Sequence, residues 1–445
     1  MMEAIVFVPA LVCIGCLFYW GPQKTFLYVC LPVLLLLPAY FTWKINGFPG
    51  VGFDTSVLLP LGVSLIALAS SHWKPTRCDI WIAFYILSSA VADLRVGEAS
   101  LAKYRLFEVV VRALVPYAVG RLLIEQNHAR RTTAKQIILI FCFSSLLAIP
   151  EFFLKLNLFL RGGMHFFPDQ WPGWSTQVRW GFGRIAGPFG TSEVYGLVLI
   201  VGVFLLPWMY ESPSSRRLRW YSSKKAAFAL SILLVLTLIM TQSRGPWLGM
   251  LIALPIAFCG FTKRPSRSLL LICCVFLLLA VPMYKGFMEY SGGPRKDYGS
   301  DRETAQYRHE MIENYVPLAE QGGLWGWGTF HPVVNGQTSI DNEFLRVFLA
   351  QGYIGVFSYI LLYLEAGYAL LRIGLSATSG ESRRFCFAML GIFVAWLITL
   401  NTVYMGGQSY ELFFLLVGWT QALRPVEAAE SPAELKVLQL NRVYS

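Results

Sequence analysis

AAFALSILLVLTLIMTQSRGPWLGMLIALPIAFCGF, residues 226–261, decides how this chain folds. Two apolar runs, 226–241 and 247–261, flank a turn at 242–246, and Arg244 in that turn is the one charged residue of the stretch. A bilayer core takes about 20 apolar residues per helix, and neither run has the polar face of a soluble amphipathic helix. The stretch therefore reads as two membrane helices joined by a turn too short to leave the membrane surface.

Working outward, runs of the same kind lie at 5–20, 26–42, 56–70, 80–92, 106–124, 137–154, 194–210, 269–284, 344–371, 385–403 and 412–423. The expected architecture is an all-α polytopic membrane helix bundle of about 12–13 spans, one multi-spanning domain over 1–445. A large periplasmic loop with surface helices, 285–342, lies within it. The composition agrees: 56% of residues are hydrophobic and 14% charged, against roughly 25% charged in soluble domains.

The net charge of +11 is spread over short loops, which argues against nucleic acid as a partner and for topology signals. Basic residues gather at Arg130, Arg131 and Lys135, at Arg216, Arg217, Arg219, Lys224 and Lys225, at Lys263, Arg264 and Arg267, and at Arg372, Arg383 and Arg384. Counting spans between them puts all four gaps on one side, the cytoplasmic one. The gaps 155–193, 242–246, 285–342 and 404–409 then face outward. The nine cysteines sit almost entirely in apolar runs, and Cys13 and Cys16 have no second pair to make a metal site, so they read as small core residues. The first run lacks a basic leader and a cleavage site and reads as a retained anchor.

The polar excursion 290–355 interrupts this hydrophobic pattern. Ser300 and Glu303 have the spacing of a capping box, and the spacing predicts a helix to about Tyr315, ended by Pro317. Its apolar stripe is Met311, Ile312 and Tyr315, with Arg308 completing the set. Gly322, Gly323, Gly326 and Gly328 alternate with Trp325 and Trp327 as a flexible aromatic loop suited to the headgroup layer.

Outward-facing polar residues are the candidates for chemistry. In VRWGFGRIAGPFGTSEVYG (178–196), glycines let the backbone approach a ligand while Arg179 and Arg184 meet phosphate oxygens; the alternative is a headgroup-facing loop. Glu193 opens the following helix. Arg244 runs against the cytoplasmic bias and calls for an anion, with snorkelling as the alternative. Arg308 has salt bridges to Glu310, Glu313 or Glu343 as its alternative. Asp341 competes between a functional carboxylate and a helix N-cap. His165, His309 and His331 are also outside, where a solvated loop histidine is the plain reading. Glu108 and Arg112, four apart, form an intramembrane ion pair for packing or for lining a cavity. Three cationic sites and one carboxylate fit a diphosphate at the membrane surface: arginines hold it and neutralise its charge, each well-placed donor contributing about 3 to 4 kcal/mol, while the carboxylate takes a proton from a hydroxyl. There is no metal-ligand cluster and no cofactor motif.

GRIAGPFGTSEVYG (183–196), TQSRGPWLG (241–249), YRHEMIENYVPLAEQGGLWGWG (307–328) and DNEFLRVFLAQGYIG (341–355) resemble, in that order, the O-antigen ligases and related polysaccharide polymerases. The resemblance covers about 184–355. It implies an inverting, metal-independent transferase of the bacterial inner membrane. Such an enzyme moves a glycan from undecaprenyl diphosphate to an acceptor hydroxyl, on a glycan or lipid A core, at the periplasmic face. It also implies that Arg184, Arg244 and Arg308, with Arg179 nearby, contact the diphosphate. The position before Asn342 is typically a histidine base in the ligases; here it is Asp341. An aspartate near pKa ~3.9 is a poor base unless burial raises it, so Asp341 either acts as base or orients the acceptor, with His331, Asn342 and Glu193 as further candidates. A lipid-linked glycan flippase or other secondary transporter is the alternative class, which expects paired halves and broken helices near the midplane.

Overall fold

The computed structural model describes residues 2–44, 49–126, 128–170, 176–211, 224–292 and 301–423. Its helices are α1 (Val8–Thr25), α2 (Leu31–Leu36), α3 (Phe53–His72), α4 (Arg77–Arg95), α5 (Ala99–Val109), α6 (Val115–Val119), α7 (Arg130–Leu154), α8 (Leu158–Phe166), α9 (Ser192–Glu211), α10 (Lys224–Met240), α11 (Arg244–Phe258), α12 (Pro265–Ser291), α13 (Asp301–Gly322), α14 (Glu343–Ser376), α15 (Gly380–Thr399) and α16 (Gln408–Ala422). Two antiparallel pairs of two-residue strands, Thr42–Trp43 with Val51–Gly52 and Val178–Arg179 with Phe182–Gly183, are the strands among the described residues. The chain is an all-α polytopic membrane protein.

Among the described residues, seven helical stretches are long and apolar enough to cross a membrane: Glu3–Leu36, Arg130–Leu154, Ser192–Tyr210, Arg244–Phe261, Pro265–Ser291, Glu343–Ser376 and Gly380–Thr399. A shorter apolar stretch, Phe53–Ile66, adds to them. Helices α4, α5 with α6, α10 and α16 fall on the remaining expected runs. The first stretch is broken at Gly21, whose φ is 75°. Cys13 and Cys30 Sγ lie 3.6 Å apart across that break, whereas an unbroken helix would separate them by about 25 Å. The chain therefore doubles back at Gly21-Pro22, as the two separate runs at 5–20 and 26–42 require.

Contacts between distant loops sort them into two ends. At one end Arg131 bonds Glu381 at 3.0 Å, Trp419 donates to Glu125 at 2.6 Å and Arg383 donates to the Gly260 carbonyl at 3.2 Å. Three of the four basic gaps thus share an end; in the fourth, Arg216, Arg217 and Arg219 lie outside the described residues. At the other end Arg95 reaches Gly322, Thr329 reaches Asp93, Gln170 holds Thr42, and Gln408 bonds the carbonyls of Leu37 and Pro188. This end carries the polar segment.

For that segment two expectations change, and a third falls outside what the structure describes. Ser300, half of the anticipated capping box, lies outside the described residues. Pro317 does not end α13, which runs on to Gly322; the added turn is held by buried Ala319 and by Trp327 Nε1 donating to the Leu318 carbonyl at 2.8 Å. Ile312 is exposed, and the buried stripe beside Arg308 is Met311, Tyr315 and Ala319.

The glycine-tryptophan loop acts as a clamp on α14. Helix α14 breaks at Gly352, with φ 66°, which would orphan backbone groups on both sides of the break. The loop supplies them: Trp327 and Gly328 N–H donate to the Leu349 and Ala350 carbonyls at 2.8 and 3.0 Å, and Tyr353 and Ile354 N–H donate to the Gly323 and Leu324 carbonyls at 3.1 Å each. So close an approach excludes side chains: a Cβ on Gly326 would stand 2.5 Å from Gly352 N.

Candidate functional site

The site begins with the turn between α10 and α11. Gln242 adopts φ 51°, a left-handed conformation uncommon for a non-glycine residue, and two arginines from the 176–193 segment hold it. Arg179 Nη1 donates to the Gln242 carbonyl at 2.7 Å. Arg184, buried, donates from Nε to the Thr241 carbonyl at 3.3 Å, from Nη2 to Ser243 Oγ at 3.0 Å and to Glu193 Oε1, and from Nη1 to Gln177 Oε1. Arg184 and Glu193 are therefore an internal ion pair bracing the turn. Arg184 also borders a cavity of about 140 Å³ whose wall includes Thr191 and Ser192.

The braced turn presents Arg244. It is exposed and is the first residue of α11. A cation there faces the positive end of the helix dipole, and an anion relieves both charges. Behind it Gly245 is required by close packing, since a Cβ would stand 2.5 Å from Thr402 Oγ1.

Across from this turn, α13 delivers Arg308. Its Nη2 donates to the Thr402 carbonyl at 3.1 Å, while Nε is buried with no partner. The alternative reading of Arg308, a salt bridge, is not met among the described residues: Glu343 pairs with Arg346 at 2.7 Å and Glu313 with His309 at 3.2 Å. Burial lowers the pKa of Arg308; next in order Asp341 and Glu193 favour its charge, while Arg244 and Arg184 oppose it. One guanidinium thus feels four groups from separate elements.

Asp341 is half-buried and its Oδ1 accepts from Ser339 Oγ at 2.7 Å. It is not the cap of α14. Asn342 is, accepting from Leu345 N at 3.0 Å and donating through Nδ2 to the Asn401 carbonyl at 3.2 Å. The cap leaves the Asp341 side chain outside the helix, within electrostatic reach of Arg308. His331 stands apart, packed edge-on against Tyr315 with ring centroids 5.9 Å apart.

The link 400–407 contributes groups that sequence reasoning passed over. Besides Thr402, it brings Tyr404, whose phenol pKa is raised by burial and then by Asp341. The buried Glu343 carboxylate accepts Met405 N at 2.7 Å and holds this link in place. A tyrosine in a short glycine-containing link carries no pattern that marks it. Among the described residues no three His, Cys, Asp or Glu side chains gather as a metal-ligand set.

These features define a polytopic helical membrane protein with a cluster of mutually interacting arginines at one end. Residues 229–360 match the family model described as O-antigen ligase, which supports the superfamily that the motifs resemble and its glycosyltransferase class. The match includes Arg244, Arg308 and Asp341. No curated protein matches the chain.

Proposed function

We propose that this protein is an inner-membrane glycosyltransferase that moves a glycan from undecaprenyl diphosphate to an acceptor hydroxyl at the periplasmic face. The observation that carries the reading is Arg308, a guanidinium with a buried, unpartnered Nε that senses Arg184, Arg244, Glu193 and Asp341 together. A buried donor without an acceptor is costly, and a diphosphate oxygen supplies one. Arg244 holds the same diphosphate from the exposed side, and the Arg184–Glu193 pair and Arg179 fix the turn that positions Arg244.

In the reaction the acceptor oxygen attacks the anomeric carbon as the bond to the diphosphate oxygen breaks. The hydroxyl proton passes to Asp341, and the departing electron pair goes to the diphosphate, whose charge Arg308 and Arg244 neutralise. A single displacement inverts the anomeric centre. The chemistry needs no cofactor.

The test is a proteoliposome assay with undecaprenyl-diphosphate glycan and either lipid A core or a second glycan as acceptor. A ladder of products marks a polymerase and a single shifted band a ligase. Transfer that survives Arg308→Ala and Asp341→Asn unchanged would overturn the reading.

A further inference from the structure

The ion pair of Glu108 and Arg112 belongs to a larger cluster that the proposed chemistry does not use. Arg112 bonds Glu108 at 3.1 Å, Glu411 at 2.7 Å and Asp54 at 3.2 Å, and Arg105 adds a bond to Glu108 at 2.9 Å. Asp54 and Glu411 are 3% and 1% exposed. Three carboxylates thus share two guanidinium groups. Glu411 Oε2 is buried with no donor. Two of its neighbours in the cluster, Asp54 and Arg112, line a cavity of about 300 Å³, the lower end of small-ligand pocket volumes.

The rest of the lining fits one ligand chemistry. Tyr104 and Phe107 offer aromatic faces, Thr42 and Thr55 hydroxyls, and the turn at Pro49 and Gly50 forms another wall. Arg112 already faces three carboxylates through Nε and Nη1, and a phosphate entering the cavity would meet the same carboxylates. Carboxylates with spare acceptor capacity beside an aromatic face suit the hydroxyl groups of an uncharged sugar. The cavity is at the same end as Arg308, and the 400–407 link joins them: Thr402 accepts from Arg308, while a Cβ on Gly407 would stand 3.8 Å from Ala39, a cavity-lining residue.

We propose that this acidic cavity binds the hydroxyl groups of an uncharged glycan, as the acceptor-side subsite of the transferase. The proposal rests on the reading of the arginine cluster as the diphosphate site, and the two sites call for opposite ligands.

Saturation-transfer NMR on the full chain in detergent tests it, with a panel of methyl hexopyranosides and methyl N-acetylhexosaminides, and with inorganic diphosphate as the second probe, read by broadening of its 31P resonance. We expect at least one glycoside to bind, with affinity falling tenfold or more in both Glu108→Gln and Tyr104→Ala and unchanged in Arg308→Ala. Diphosphate binding should show the reverse dependence. The Glu108 side chain is 43% exposed, so its replacement leaves the fold intact, which size-exclusion chromatography checks. No glycoside signal, as from a water-filled cavity whose missing donor is a proton shared by Asp54 and Glu411, overturns the proposal. So does a signal indifferent to both cavity variants. Loss of diphosphate binding by the unmodified chain, with glycoside binding kept, instead removes the reading of the arginine cluster and leaves the cavity as a sugar site.

Discussion

Arg308 and Arg112 are both arginines drawn into a membrane protein at the same end, and their surroundings are opposite. Arg112 is over-supplied, touching three carboxylates. Arg308 is under-supplied, with one carbonyl bond, a buried Nε without an acceptor, and other arginines acting on it. The contrast separates a cation that completes the protein from one that awaits an anion, and the same residue type therefore serves two ends.

Substitutions sharpen the contrast, and the largest effect belongs to Arg112. Arg112→Ala leaves the buried Asp54 and Glu411 carboxylates without their cation, and breaking a buried pair costs about 3–5 kcal/mol; thermal unfolding in detergent should show a large drop in midpoint, or no folded protein. Arg308→Ala should reverse the pattern. Little stability is lost because few bonds are broken, while transfer in proteoliposomes falls roughly 10²–10³-fold, the usual cost of one charge-stabilising donor; a melting shift as large as that of Arg112→Ala would erase the distinction. Asn342→Ala removes the cap of α14 and should cost about 1 kcal/mol, read as a modest melting shift together with a partial loss of transfer as Asp341 loosens.

Tyr404→Phe should do least. Its phenol titrates above the ordinary value of about 10, raised by burial and by Asp341, so the favourable neutral form is fully present at neutral pH. Its contribution is lost only as pH rises through the raised pKa. The substitution should leave the neutral pH profile of transfer unchanged and alter only the alkaline edge of thermal stability.

The membrane fold is legible in the sequence because its cause is local: a run of about 20 apolar residues has the length that a bilayer core demands, and basic gaps report their side by composition alone. Local rules mislead where tertiary packing decides. By its own chemistry Pro317 ends a helix, yet α13 continues to Gly322 because Trp327 and Ala319 secure the last turn. The run 344–371 gives no sign of its break at Gly352, since the groups that satisfy the break come from a glycine loop some twenty-five residues earlier. Of the partners of Arg112, only Glu108 is visible in the sequence, because it is one helical turn away, whereas Asp54 and Glu411 come from other helices. The candidate residues Arg184, Arg244, Arg308 and Asp341 are recognisable in the sequence as charges out of place between apolar runs. What joins them, the link with Thr402 and Tyr404, is not, because a short polar turn between two spans looks the same whether or not it does chemistry.

The seam at Gly352 bears on how such a protein can be re-engineered. Four main-chain bonds couple residues 323–328 to 349–354, and main-chain bonds ignore side-chain identity but demand matched geometry. A chimera that exchanged the outer segment with that of another protein would have to carry both stretches together. Either half grafted alone would leave carbonyl and amide groups stranded at the kink, and the spanning helix beyond it would lose its starting turn.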